Sequence, residues 1–268
     1  MSDDIWQVFA LKYAERNART RANSFIFDDD HASPHDMDYF IWVARNSKRT
    51  ILIDTGYDTE EANRRGRPVL RHPVEALKVL GIRPEDIDTI IITHLHYDHA
   101  GGLDEFPNAV FHLQSAEMAF ATGPCMCHGT LRMPYTAQHV CQMIHHVYSG
   151  RVIFHDGEGI VAPGITLHHI GGHSRGLQSV QIKTASGHLC LASDASHYYE
   201  NFISQKPFPI VDSIADMHNG WQTIQSLASH RDLVIPGHDP LVTRHFPALD
   251  NTDFGWRLDV GPHKPIEI

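Results

Sequence analysis

Residues 39–44 read Tyr-Phe-Ile-Trp-Val-Ala, an aromatic and β-branched run suited to a buried strand. Thr50 to Ile53 predicts a second strand, closed by Asp54-Thr55-Gly56. From His72 to Leu80 the apolar positions fall at Val74, Leu77 and the Val79-Leu80 pair, a helical spacing that Gly81 stops. Thr89 to Ile92 is short, apolar and β-branched, and predicts an inner strand. Ala109 to Leu113 predicts another. Ser115 to Thr122 reads as a helix with Ser115 as its N-cap, and Thr136 to Tyr148 as a longer helix. The second half repeats the theme. Arg151 to His155, Ile165 to Ile170, Ser179 to Lys183, His188 to Ala192 and Leu233 to Ile235 predict strands, and Ile214 to His230 a helix. Strands mixed with helices in both halves indicate an α/β layered fold. No linker rich in Pro or Gly divides the chain, so residues 1–268 read as one domain, with Gly123 to Pro134 as an inserted loop.

Composition narrows the function classes. The apolar fraction is 42%, ordinary for a globular chain, and the formal net charge is −10. An acidic chain without clustered Lys and Arg argues against nucleic-acid or anionic-membrane partners. The start, Met-Ser-Asp-Asp-Ile-Trp, lacks the basic and apolar parts of a secretory signal. No apolar run approaches the ~18 residues of a membrane helix. A cytoplasmic location is therefore expected. Cys125, Cys127, Cys141 and Cys190 form no disulfide framework by spacing. Cys125-Met126-Cys127-His128 is C-x-C rather than C-x₂-C, with no second cysteine pair, and does not read as a zinc module.

The unusual count is histidine, at 22. Imidazole is the commonest metal ligand. Most of these histidines sit at no ligand spacing and read as surface or core groups. Thr93-His94-Leu95-His96-Tyr97-Asp98-His99-Ala100-Gly101-Gly102 is different. It follows a predicted buried strand. In extended backbone His94 and His96 project to one side. Asp98 and His99 add a carboxylate and a third imidazole, the donor mixture that zinc selects. Gly101 and Gly102 permit a tight turn. Gly171-Gly172-His173-Ser174, Ser193-Asp194 and Pro236-Gly237-His238-Asp239 each follow another predicted strand. Strand ends are where α/β sheets build their sites.

The ordered set Asp54, His94, His96, Asp98, His99, His173, Asp194 and His238 resembles the metallo-β-lactamase superfamily, from about Tyr39 to His238. The resemblance implies a four-layered αβ/βα sandwich with two zinc ions per chain. It implies His94, His96 and His173 on one zinc, and Asp98, His99 and His238 on the other. Asp194 would bridge both, and Asp54 would orient a ligand histidine from behind. The redox branch carries Glu where His96 stands, and true β-lactamases usually lack the histidine at His99. The nuclease branches add a nucleic-acid arm, and glyoxalase II has a helical C-terminal region that Pro240, Pro247, Pro262 and Pro265 oppose here.

Residues 94–102 are most similar to the N-acyl homoserine lactone lactonases. So are Ser193-Asp194-Ala195-Ser196, Glu200-Asn201-Phe202 and Pro207-Phe208. That resemblance implies hydrolysis of a lactone or related carboxylic ester by a metal-bridging hydroxide, with Asp98 passing a proton to the leaving oxygen. The alternative is another bond on the same site, such as a thioester, amide or phosphodiester. Those lactonases have a tyrosine three residues after the bridging aspartate; here it is His197, followed by Tyr198 and Tyr199. His197 either takes over the tyrosine's hydrogen bond to the substrate carbonyl or marks a different substrate, with Tyr198 as the neighbouring candidate for that role. Phe25, Phe27, Met133, Tyr135 and Phe202 are candidate lining residues. The expected partner is a small lactone or ester, and a homodimer stays open.

Overall fold

The computed structural model describes residues 4–250 and 252–268. The first three residues, part of the start weighed above as a secretory signal, lie outside the described ones. In chain order the elements are β1 (Gln7–Arg16), β2 (Met37–Arg45), β3 (Thr50–Ile53), α1 (Thr59–Arg65), α2 (Pro73–Leu77) and β4 (Thr89–Ile91). Then come β5 (Val110–Gln114), α3 (Ser115–Thr122), α4 (Gly129–Arg132), α5 (Ala137–Tyr148), β6 (Val152–His155), β7 (Gly159–Ala162) and β8 (Ile165–His169). Last are β9 (Gln178–Thr184), β10 (Gly187–Ser193), α6 (Tyr199–Ser204), α7 (Ile214–Leu227), β11 (Val234–Pro236), α8 (Leu241–His245) and β12 (Gly255–Arg257).

Two sheets form. The larger runs β12-β1-β2-β3-β4-β5-β6 and the smaller β11-β10-β9-β8-β7. Alternation along the strands decides what each face buries. Val8, Ala10, Phe40, Trp42, Ile51 and Ile53 face one core, which they share with Ile165, Leu167, Val180 and Ile182 of the smaller sheet. The intervening residues Phe9, Leu11, Ile41, Val43 and Leu52 face a second core with Ala62 of α1, Leu77 of α2 and Met143 of α5. Met217, Trp221 and Ile224 of α7 join the first core. The chain is thus helices, sheet, sheet, helix: the four-layered αβ/βα sandwich of the sequence expectation.

Several expectations change. The chain before residue 39, where the residue pattern predicts no element, supplies β1, which pairs with both β2 and β12. Its two faces are both buried, so no clean alternation betrays it. β7 is a short strand that, among the described residues, pairs only with β8. Ser115 is the first helical residue, not the cap; Gln114 is the cap, because β5 runs directly into α3. Residues 123–134 are not plain loop but hold a 3₁₀ turn at Pro124–Cys127 and the short helix α4. All four cysteines are free thiols. Among the described residues no helix is long and apolar enough to cross a membrane.

The sheets place every candidate ligand. Asp54 follows β3, His94 to His99 follow β4, His173 follows β8, Asp194 follows β10 and His238 follows β11. β3 and β4 run parallel, as do β10 and β11. The loops leaving these strands therefore meet at one edge of the sandwich.

Trp42 is fully buried between the sheets. Trp42→Ala is expected to lower unfolding stability by about 3–5 kcal/mol, read from a denaturant melt.

Candidate metal centre

At that edge the ligand atoms of His94, His96 and His173 lie within 4.8 Å of one another. The same holds for Asp98, His99 and His238. Asp194 groups with His94 and His99 on one side and with His173 and His197 on the other. All eight of these side chains are buried.

The outer atoms of the rings are held by the protein. His173 Nδ1 donates to the Ile210 carbonyl at 2.7 Å, and His238 Nδ1 to the Asp38 carbonyl at 2.9 Å. His99 Nδ1 donates to Asp54 Oδ2 at 2.7 Å. Each bond fixes a tautomer in which Nε2 carries a lone pair. Those lone pairs point inward. His173 Nε2 lies 2.9 Å from His96 Nδ1 and 3.2 Å from His94 Nε2. His99 Nε2 and Asp194 Oδ1 are buried without a hydrogen-bond partner, 3.4 Å apart. Converging lone pairs and orphaned buried acceptors are what a cation satisfies. The residues fit a metal site.

Electrostatics agree. Burial pushes His94 and His96 well below the usual imidazole range, which keeps them neutral, as ligands must be. Burial alone would raise Asp194, but the imidazoles of His238, His99 and His197 hold it well below the usual carboxylate range. Burial opposes a charge on His99, but Asp194, Asp54 and Asp98 together pull it upward, so its Nε2 attracts a positive charge that a bound cation would supply in place of a proton.

The backbone is bent to bring these groups in. Asp54 and Ser193 adopt positive φ, 61° and 48°. Such values are uncommon for non-glycine residues. Gly237 passes so close that a Cβ there would sit 2.3 Å from Asp194 Oδ1. A Cβ at Gly101 would meet Tyr57 Cα at 2.6 Å. Asp54 accepts from Thr93 N at 2.7 Å, from the Thr93 hydroxyl at 2.8 Å and from His99.

His197 joins this cluster. Its Nε2 faces Asp194 Oδ2 at 3.0 Å, and its ring stacks on Phe208 at 3.8 Å between centroids. Burial, opposed by Asp194, pushes it down to about 3. Tyr198 does not join. Its hydroxyl accepts from Ser24 Oγ at 3.4 Å and its ring packs on His35, because α6 begins there and turns the side chain onto the N-terminal loop.

The candidate lining residues divide similarly. Tyr135 packs edge-on against His96, and Met133 borders an apolar annex beside the cleft, next to His96 and His173. Phe25 is buried against Tyr198 and His35, Phe202 lies in the inter-sheet core, and Phe27 is exposed on an outer hollow with Asp28 and Asp29. These three do not line the cleft: the loop and α6 carrying them turn their rings elsewhere.

Glu117 was not legible as a site residue. Fully buried on α3, it accepts from Leu95 N, Tyr135 Oη, Ser174 Oγ and Gly176 N, so it ties the His94 loop to the His173 loop. Arg19, Tyr39 and Arg67, which line the cleft beside His96, Asp98 and His238, were also missed. No spacing rule marks such isolated residues.

Residues 37–245 match the model of the metallo-beta-lactamase superfamily. The chain belongs to that superfamily. It is a hydrolase of this fold, similar to proteins named N-acyl homoserine lactonase. One from Bacillus thuringiensis subsp. kurstaki is 30% identical, over 74% of this chain and 80% of its own. One from a Bacillus species is 29% identical, over 76% of this chain and 82% of its own. A crystal structure of a quorum-quenching N-acyl homoserine lactone lactonase superposes with a TM-score of 0.72, at 24% identity, covering 90% of this chain and 95% of that one. At that identity the superposition speaks for the fold.

Asp54→Asn replaces one acceptor oxygen by a donor, so Thr93 and His99 cannot both be satisfied. It is expected to weaken metal retention by about 10–100-fold, measured by dialysis against a buffered chelator and elemental analysis.

Proposed function

We propose that the chain opens a lactone, or a related carboxylic ester, at a two-metal site. The observation that carries this reading is the convergence of five imidazoles and two carboxylates whose free lone pairs face one another. The named activity of the relatives supports the choice of bond. His94, His96 and His173 would hold one ion, Asp98, His99 and His238 the other, and Asp194 would lie between them. A pair of divalent ions held there, zinc by the preference of such donors, would supply a nucleophilic oxygen at neutral pH and an electrophile for the carbonyl.

The chain's own groups do the rest. The carbonyl of Asp98 accepts from the buried Tyr13 hydroxyl at 2.8 Å, which fixes its backbone, while its carboxylate lines the cleft. From there it carries a proton to the leaving alkoxide oxygen. His197 stays neutral and has one ring proton. With Nε2 turned to Asp194 Oδ2, that proton holds the carboxylate in place, and Phe208 holds the ring. We therefore assign His197 to positioning Asp194 rather than to polarising the substrate carbonyl. Burial at this edge excludes bulk water and strengthens each of these interactions.

Lactones, thioesters and phosphodiesters at equal concentration, followed by acid release, test the bond. Lactones are expected to turn over fastest, and a chelator to abolish turnover until zinc is restored. A thioester or phosphodiester that outruns every lactone overturns the assignment. For His197, the conservative His197→Gln keeps a donor to Asp194 and is expected to retain most of kcat. His197→Phe should lose about 10–100-fold in kcat and in metal affinity, with KM little moved. A rise in KM alone would place His197 on the substrate instead.

A further inference from the structure

The cleft over the metal centre is small, about 50 Å³. An apolar annex beside it, bordered by Phe120, Leu131, Met133 and Val211, adds about 40 Å³. Sites for drug-sized ligands enclose roughly 300–1,000 Å³. Neither space encloses the apolar volume that a long acyl chain would fill.

Two guanidiniums line the cleft. Arg19 is 7% exposed. One of its Nη atoms donates to the Asn23 carbonyl at 2.8 Å and to Ser24 Oγ at 3.2 Å, while its Nε is buried with no hydrogen-bond partner. Arg67 lies over the Tyr97 ring at 4.9 Å and donates to the Tyr97 hydroxyl. That hydroxyl donates onward to Tyr39 Oη at 3.3 Å, and the Tyr39 ring meets His238 edge-on at 5.0 Å. Arg67 is thereby fixed relative to a candidate ligand. Among the described residues neither arginine forms an ion pair with a carboxylate. The acidic groups that share the cleft, Asp98 and Asp194, sit among the candidate ligand histidines. Arg19, a buried guanidinium without a carboxylate and with a donor unmet, is a site for an oxyanion, and the half-buried Arg67 adds a second positive charge to the same cleft.

We propose that Arg19 and Arg67 form an anion-recognition subsite, and that the substrate is a compact lactone bearing a carboxylate or other oxyanion rather than a long-chain acyl lactone. This rests on the lactonase reading above. The arginines grip the substituent, and the small cleft leaves the lactone carbonyl as the part that reaches the metal centre.

The test uses the metal-loaded enzyme and three probes: a γ-lactone carrying a carboxylate, the same lactone with a primary amide in its place, and N-decanoyl homoserine lactone. The carboxylate lactone is expected to exceed the amide by about 10–100-fold in kcat/KM, expressed in KM. Arg19→Met and Arg67→Met should collapse that preference toward unity, and Arg19→Lys and Arg67→Lys should restore part of it. The lysine variants decide the matter if a methionine variant fails to fold. No preference in the parent enzyme, equal losses on both lactones, or a preference for the decanoyl lactone overturns the proposal. If no lactone is hydrolysed at all, the bond assignment fails, and calorimetry of the ring-opened carboxylate acid decides the subsite separately. Weaker binding in the methionine variants upholds it, and unchanged binding overturns it.

Discussion

The site hangs on the Asp54 carboxylate. It is fully buried and accepts three hydrogen bonds, two from Thr93 and one from His99. These bonds join the ends of β3 and β4 and set the ring of a candidate ligand at once. A carboxylate in such a place would be raised by burial, and it is; the His99 imidazole and the Thr93 donors work against that rise. The positive φ of Asp54 is part of the same arrangement, because it turns the side chain back under the loop it supports. Buried polar groups of this kind are stable only when every partner is present.

Other groups extend the same logic outward. Glu117 ties two ligand loops from the side of α3, and the Asp38 and Ile210 carbonyls each fix a ring from segments remote in sequence. The centre is thus preorganised by acceptors that come from the larger sheet, from α3 and from the segment between α6 and α7. Its inner faces are left with mutually unfavourable lone pairs, which is tolerable in a folded protein only around a positive charge.

Much of this was readable from the chain. Residues 94–99 announced themselves because four donors fall within one short stretch. His173, Asp194 and His238 gained meaning once each was seen to follow a predicted strand. The layered architecture followed from runs such as 39–44 and 50–53. What escaped had a physical reason. β1 is buried on both faces and shows no period. Glu117, Arg19 and Arg67 are single residues whose partners lie tens of positions away, so no local pattern carries them. Phe25 and Phe202 looked like pocket residues because aromatic rings line pockets, but rings also fill cores, and only packing separates the two. Tyr198 was misplaced by one step of backbone: the turn into α6 aims neighbouring side chains in different directions.

The N-terminal loop that carries Arg19 is strapped to α6 by charge. Arg21 bridges Asp28 and Glu200, and Lys206 contacts the same two carboxylates. None of these four groups is a candidate metal ligand. The roof over the reaction centre is therefore encoded apart from the hearth beneath it. A lineage can redraw the roof, and with it the diet of the enzyme, while the hearth is inherited intact.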